Sequence, residues 1–241
     1  MSASIRQRLL DVYQRLLEAY GPQHWWPGDD NAFVVVIGAI LTQSAAWKNV
    51  DIALARLREA GLLSVDALLC VPDEELESAV RPSGYFRMKA RKLRAFAAML
   101  RERFDSRLEG LFALPAEEMR SVLLTTYGIG PETADDIVLY AARKPAFVVD
   151  AYTRRTFERL GIRPVSDTYD AWRFLFLNAL PEDVALFNEY HALIDEHAKK
   201  VCRKEPRCEV CGLLDICPTG QSRAAAVAPE AHDTMRAKTF K

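Results

Sequence analysis

The chain of 241 residues has no long apolar run, almost no net charge and few cysteines, and each shortage excludes something. The longest apolar stretch, residues 33–41, is far shorter than the roughly 20 residues a membrane-crossing helix needs, so no membrane partner is expected. The opening Met1-Ser2-Ala3-Ser4-Ile5-Arg6-Gln7-Arg8 has no apolar signal core, which argues against export. A cytoplasmic protein, nucleoid-associated if bacterial, is expected. Five cysteines, four of them crowded into 202–217, do not form the dispersed framework of a secreted disulfide protein. With 32 Lys and Arg against 33 Asp and Glu, bulk charge does not mark a strongly basic polyanion binder. Strand-like alternation is scarce, and no internal repeat is evident.

Helical signals fill the space. Ile5, Leu9, Leu10, Tyr13, Leu16, Leu17 and Tyr20 recur at helical spacing until Gly21-Pro22 stops them. Residues 33–41 read as a buried helix behind the capping pair Asp30-Asn31. Further helices are predicted over 47–60, 73–80, 115–126, 131–142, 150–160, 169–180 and 182–200. From Gln221 onward the chain is Ala-rich and polar, and a disordered tail over 221–241 is predicted. The fold class is all-α. Residues 81–107 hold 9 Lys and Arg against 2 Asp and Glu. The apolar stripe Leu93, Phe96, Ala97, Leu100 and Phe104 puts that basic block on the outer face of a helix, as a polyanion footprint or a solvated surface.

Three local patterns carry chemistry. Cys202, Cys208, Cys211 and Cys217 lie within sixteen residues, as one close pair flanked by two single cysteines. Four-cysteine zinc sites usually come as two separated C-x-x-C knuckles, so this spacing suits a [4Fe–4S] cluster better. The isolated Cys70 reads as a core residue. In Thr126-Tyr127-Gly128-Ile129-Gly130-Pro131, two glycines permit a sharp turn and a close approach to a ligand. Pro131 then opens a helix whose free amides favour an anion such as phosphate. Asp150, after Phe147-Val148-Val149, suits both a helix cap and a carboxylate shown to a substrate.

Taken together, the glycine hairpin, the Val-Asp segment about twenty residues later and the cysteine group resemble the helix-hairpin-helix base-excision DNA glycosylases. The iron–sulfur endonuclease III-like group is the most similar, over roughly residues 25–218. The resemblance implies two helical lobes with DNA between them: a six-helix lobe over 30–144, and a second lobe joining 1–29 to 145–220. It implies a monomer acting on double-stranded DNA with a damaged base. Asp150 would be the catalytic carboxylate, and Gly128 and Gly130 would grip phosphate. Gln43 would enter the space left by a flipped base, and Tyr85 would sit at the wedge position. Arg203, Lys204 and Arg207 would meet phosphates from the loop between the first two cysteines. Trp25, Trp26 and Trp47 resemble the aromatic pocket of the 3-methyladenine DNA glycosylase branch.

Two departures stand out. The first cysteine gap is one residue shorter than in endonuclease III. Glu132 stands where strand-cutting members have a lysine, and a carboxylate cannot form a Schiff base. The resemblance therefore implies a monofunctional glycosylase, unless Lys144 or Lys48 supplies the amine. Alkylated purines such as 3-methyladenine are the expected substrates. Oxidised or mismatched pyrimidines, or DNA binding without catalysis, are the alternatives.

Overall fold

A computed structural model of the chain describes residues 4–25 and 31–227, and among these the only regular secondary structure is helical. Helix α1 (Ile5–Tyr20) starts at Ser4, whose side chain forms a reciprocal capping box with Gln7, and it stops at Gly21. In α2 (Ala32–Thr42), Asn31 caps the amides of Phe33 and Val34. The cap at Asp30 lies outside the described residues. Every residue from Val34 to Leu41 is buried, as a helix apolar on all sides must be.

On α2 pack α3 (Trp47–Glu59) and α6 (Phe86–Phe104), while α4 (Val65–Cys70) packs on α6 and α5 (Asp73–Val80) on both α3 and α6. Then come α7 (Leu108–Phe112), α8 (Ala116–Leu124) and α9 (Pro131–Asp136). A π-helical turn, Ile137–Ala141, continues α9 where sequence predicts a regular helix to 142. A buried non-helical segment, Ala146 to Val149, leads into α10 (Ala151–Arg159), followed by α11 (Tyr169–Leu177), α12 (Val184–Lys200) and α13 (Pro218–Val227).

Helices α1 and α10 pack on α12, and the π-turn touches both α2 and α12, joining the two groups of helices. Phe147 stacks on Phe176 at 3.9 Å between ring centroids, with Phe157, Phe187 and Tyr190 edge-on around them. A buried ion cluster fixes α9: Asp135 receives Arg120 from α8 at 2.9 Å and Arg173 from α11 at 3.2 Å. Removing one partner of such a group leaves a buried charge uncompensated, at a cost of about 3–5 kcal/mol.

Three expectations need correction. Residues 221–227 are not a disordered tail but the end of α13, with 221–226 exposed. Ala224, Ala225 and Ala226 favour helix, and the Gln221 amide bonds the Cys217 carbonyl at 2.9 Å. The remainder of that tail, 228–241, lies outside the described residues. Cys70 is exposed rather than core, because α4 turns Val65 and Leu68 inward and Cys70 lies about 200° around the helix from Leu68. The basic block is only partly an outer face. Lys89 is buried, bonding the carbonyls of Leu41 and Ser83 at 2.8 and 2.5 Å. Arg94 bonds the carbonyls of Leu69 and Val71.

Candidate functional site

The α8–α9 hairpin owes its shape to Gly128, whose φ of +83° is a left-handed conformation that glycine adopts without strain. A Cβ there would also lie 2.2 Å from Cγ of Lys92, so the lysine stem packs directly on the turn. Gly130 caps α9 in extended conformation, with open space beside it.

Gln43, at the end of α2, is tied into this hairpin. Its Nε2 donates to the Gly128 carbonyl at 3.0 Å and to Thr133 Oγ1 at 2.9 Å, while Lys92 Nζ donates to its Oε1. Tyr85 precedes α6 with φ +45° and is 68% exposed, a left-handed residue that holds its ring out in solvent. Arg91 lies over the exposed Tyr127 ring, 4.9 Å from its centroid, so the hairpin has cations beside and beneath it.

Asp150 is the half-buried N-cap of α10, accepting the Thr153 amide at 2.7 Å. It belongs to an acidic neighbourhood. Asp136 is held far above the usual carboxylate range by burial and by the charges of Glu132, Asp150 and Asp135. Glu132 remains accessible to solvent, yet desolvation and the Asp150 charge push its pKa up, to about 7, against the pull of Arg154.

Trp25 is partly buried, with ring contacts to Tyr140 (centroids 6.5 Å) and His191 (5.9 Å, edge-on). The charge of Asp150 acts on both of these partners, so Trp25 and Asp150 share one neighbourhood. Trp47 occupies the first turn of α3, partly buried against the core. Trp26 lies outside the described residues.

All four cysteines of the C-terminal group line one cavity, together with Arg159, His197 and Gly220. N–H groups face two of the sulfurs, Gly220 N at 3.3 Å from Cys217 and Arg159 Nη1 at 3.4 Å from Cys202, and His197 Nε2 lies 3.9 Å from Cys211. Among the described residues, no three His, Cys, Asp or Glu side chains draw together tightly enough to hold a metal ion. Arg203, Lys204 and Arg207 are exposed on the loop after Cys202, and Arg159 bonds the carbonyls of Arg203 and Lys204 at 2.6 and 3.0 Å.

Comparison with known proteins identifies the family. The profile of the HhH-GPD superfamily of base-excision DNA repair proteins matches residues 37–182. A Methanocaldococcus jannaschii protein, named as a putative DNA repair glycosylase, is 39% identical over 88% of this chain and 96% of its own length. This chain belongs to the HhH-GPD superfamily. Endonuclease III of Sulfolobus acidocaldarius is 30% identical over 78% of the chain and 82% of its own length. A trapped endonuclease III–DNA intermediate superposes with a TM-score of 0.79 at 24% identity, covering 93% of this chain and all of the other, which establishes a common fold. The 3-methyladenine DNA glycosylase MagIII of H. pylori, bound to 1,N6-ethenoadenine, gives a TM-score of 0.68 at 28% identity, covering 82% and 98%.

As an HhH-GPD DNA glycosylase, the protein presents its hairpin glycines, Tyr85 and the cysteine-loop cations to solvent, where DNA can reach them. The Gln43 amide is engaged by the hairpin and Lys92, and those bonds would have to break for it to enter a duplex. Sequence reasoning missed Lys92, Arg159, Tyr140 and His191. Lys92 falls within the basic block read as the outer face of a helix, and nothing in the local sequence marks Arg159, Tyr140 or His191.

Proposed function

We propose that this DNA glycosylase is monofunctional and excises alkylated purines such as 3-methyladenine from double-stranded DNA. The observation that carries the reading is the pairing of Trp25 with the Asp150 neighbourhood while Glu132, not an amine, holds the hairpin position. The DNA lies between a six-helix lobe, 30–144, and a second lobe of 1–29 and 145–220. Amides of Gly128 and Gly130, with Arg203, Lys204 and Arg207, grip the phosphates. Gln43 and Tyr85 fill the gap as the damaged nucleotide turns out. Trp25, Trp26 and Trp47 hold the base, whose positive charge favours indole faces. Asp150 stabilises the oxocarbenium charge at the sugar and orients the attacking water. The likeness to MagIII supports an alkylpurine pocket. The likeness to endonuclease III keeps a pyrimidine lesion as the second reading.

Cys202, Cys208, Cys211 and Cys217 would hold a [4Fe–4S] cluster. Four thiols on one cavity, with N–H groups facing two of them, fit a group that presents negative sulfur on all sides. When bound, it supplies a rigid crosslink for the loop after Cys202.

The test is base release from methylated, thymine-glycol and uracil duplexes, with borohydride added to trap any Schiff base. Release of 3-methyladenine without a covalent adduct is expected. Asp150→Asn keeps a capping oxygen but removes the charge, and should slow release by about 10²–10³-fold with DNA binding retained. Release from the pyrimidine duplexes alone, a trapped adduct, or full turnover by Asp150→Asn would overturn the reading.

A further inference from the structure

The Tyr140–His191 pair lies beside the candidate site, yet the reaction as outlined does not use it. Tyr140 stands on the π-helical turn that follows the hairpin helix, and such turns occur often at functional sites. The turn sets the Tyr140 hydroxyl 2.5 Å from Nδ1 of His191. His191 is 7% exposed, and its Nε2 is buried without a hydrogen-bond partner. Folded proteins pair nearly all such atoms, so an unpaired one calls for a reason. Trp25 packs edge-on against this imidazole, and Trp25 and Tyr140 both line an open pocket with Val35, Asn188 and Glu189. Burial holds the phenol protonated, so it can donate to Nδ1, which leaves the ring hydrogen on Nε2.

We propose that His191 is a specificity-determining residue, donating Nε2–H to an acceptor atom of the extrahelical base so that uncharged lesion bases are excised along with cationic ones. The proposal rests on the glycosylase reading above. As the bond from C1′ to the base breaks, its electron pair goes to the base nitrogen. Water forms the new C1′–O bond, and its proton leaves by way of Asp150. A cationic methylated purine departs as a neutral molecule. An uncharged adduct such as 1,N6-ethenoadenine departs with a growing negative charge and takes up a proton afterwards. A fixed N–H donor interacts most strongly where that charge develops, so it accelerates the second class of base far more than the first.

The test compares the full chain with His191→Leu, His191→Gln and Tyr140→Phe. Single-turnover release is followed from duplexes carrying 3-methyladenine or 1,N6-ethenoadenine, beside melting curves and Kd for an abasic-site duplex. In His191→Leu, release of ethenoadenine should fall on the order of 10²-fold, and at least about tenfold more than release of 3-methyladenine. Tyr140→Phe, with the ring hydrogen no longer fixed, should show the same ordering with a smaller loss. His191→Gln keeps an N–H and should retain more ethenoadenine release than His191→Leu. If the leucine variant does not fold, His191→Gln and Tyr140→Phe still give the ordering. Equal losses on both bases, or none on either, would overturn the proposal. So would an unsubstituted protein that releases 3-methyladenine but not ethenoadenine. Silence of the unsubstituted protein on both bases would overturn the alkylpurine reading and this proposal with it.

Discussion

Glu132 shows how one side chain links reaction type to pH. Its carboxyl stands near Asp150, and its pKa rises from 4.5 to about 7. The folded state therefore keeps a proton that the unfolded chain loses between those values. The resulting destabilisation is absent below about pH 4.5, grows as pH rises and is complete above about pH 7. Glu132→Gln should raise the melting temperature relative to the parent at pH 8 and change it little near pH 5. Calorimetry at the two pH values checks this, and an equal shift at both would show that the fold does not raise the Glu132 carboxyl. At this scale, legibility in the sequence follows distance along the chain. Asp150 is recognisable because a cap acts three residues away, on the Thr153 amide. His191 is not, because its partner Tyr140 lies 51 residues earlier and the two meet only after α12 packs on the π-turn.

At the scale of the element, the hairpin separates two glycines that look equivalent in sequence. Gly128 needs its positive φ and has the Lys92 stem where a Cβ would go, whereas Gly130 is extended with nothing nearby. Gly128→Ala should cost about 2 kcal/mol or more, from left-handed backbone strain and overpacking against Lys92. Gly130→Ala should stay within about 0.5 kcal/mol. Urea denaturation of the two variants measures the difference, and matching losses would refute the cradle. Helix positions are legible wherever caps and apolar spacing agree, as at Asn31. The short helices α4 and α7 are not, since five or six residues give too little periodicity to read. The π-turn has no sequence signature of its own. The outward face assigned to the basic block holds for the exposed Arg87, Arg91, Arg101 and Arg103 but not for Lys89. Long cationic side chains can turn inward to bond free carbonyls, and composition does not distinguish the two uses.

Across the whole molecule, α10 links the candidate carboxylate to the cysteine loop. Asp150 caps its first turn, and Arg159 in its last turn reaches Cys202 and the carbonyls of Arg203 and Lys204. Nine residues of helix span about 14 Å, so a rigid rod connects the candidate carboxylate to the loop that carries exposed cations. The cavity shared by the four cysteines lies at the far end of that rod. If the loop is held from both sides, by Arg159 and by a cluster on the cysteines, then Arg203, Lys204 and Arg207 meet phosphates from fixed positions. Each phosphate contact contributes about 0.9 to the slope of log affinity against log salt concentration. Replacing all three by Ala should therefore lower the slope by up to about 2.7, with little change in melting temperature, since the three side chains are exposed. Iron and acid-labile sulfide analysis, with absorption near about 400 nm, tests for the cluster directly. Chelating the iron should lower the slope in the same direction as the triple substitution and should also lower the melting temperature. Zinc in place of iron would refute the cluster but leave the loop argument standing. A slope unchanged by the triple substitution would refute the loop argument, and DNA would then be held by the hairpin and the exposed cations of α6 alone.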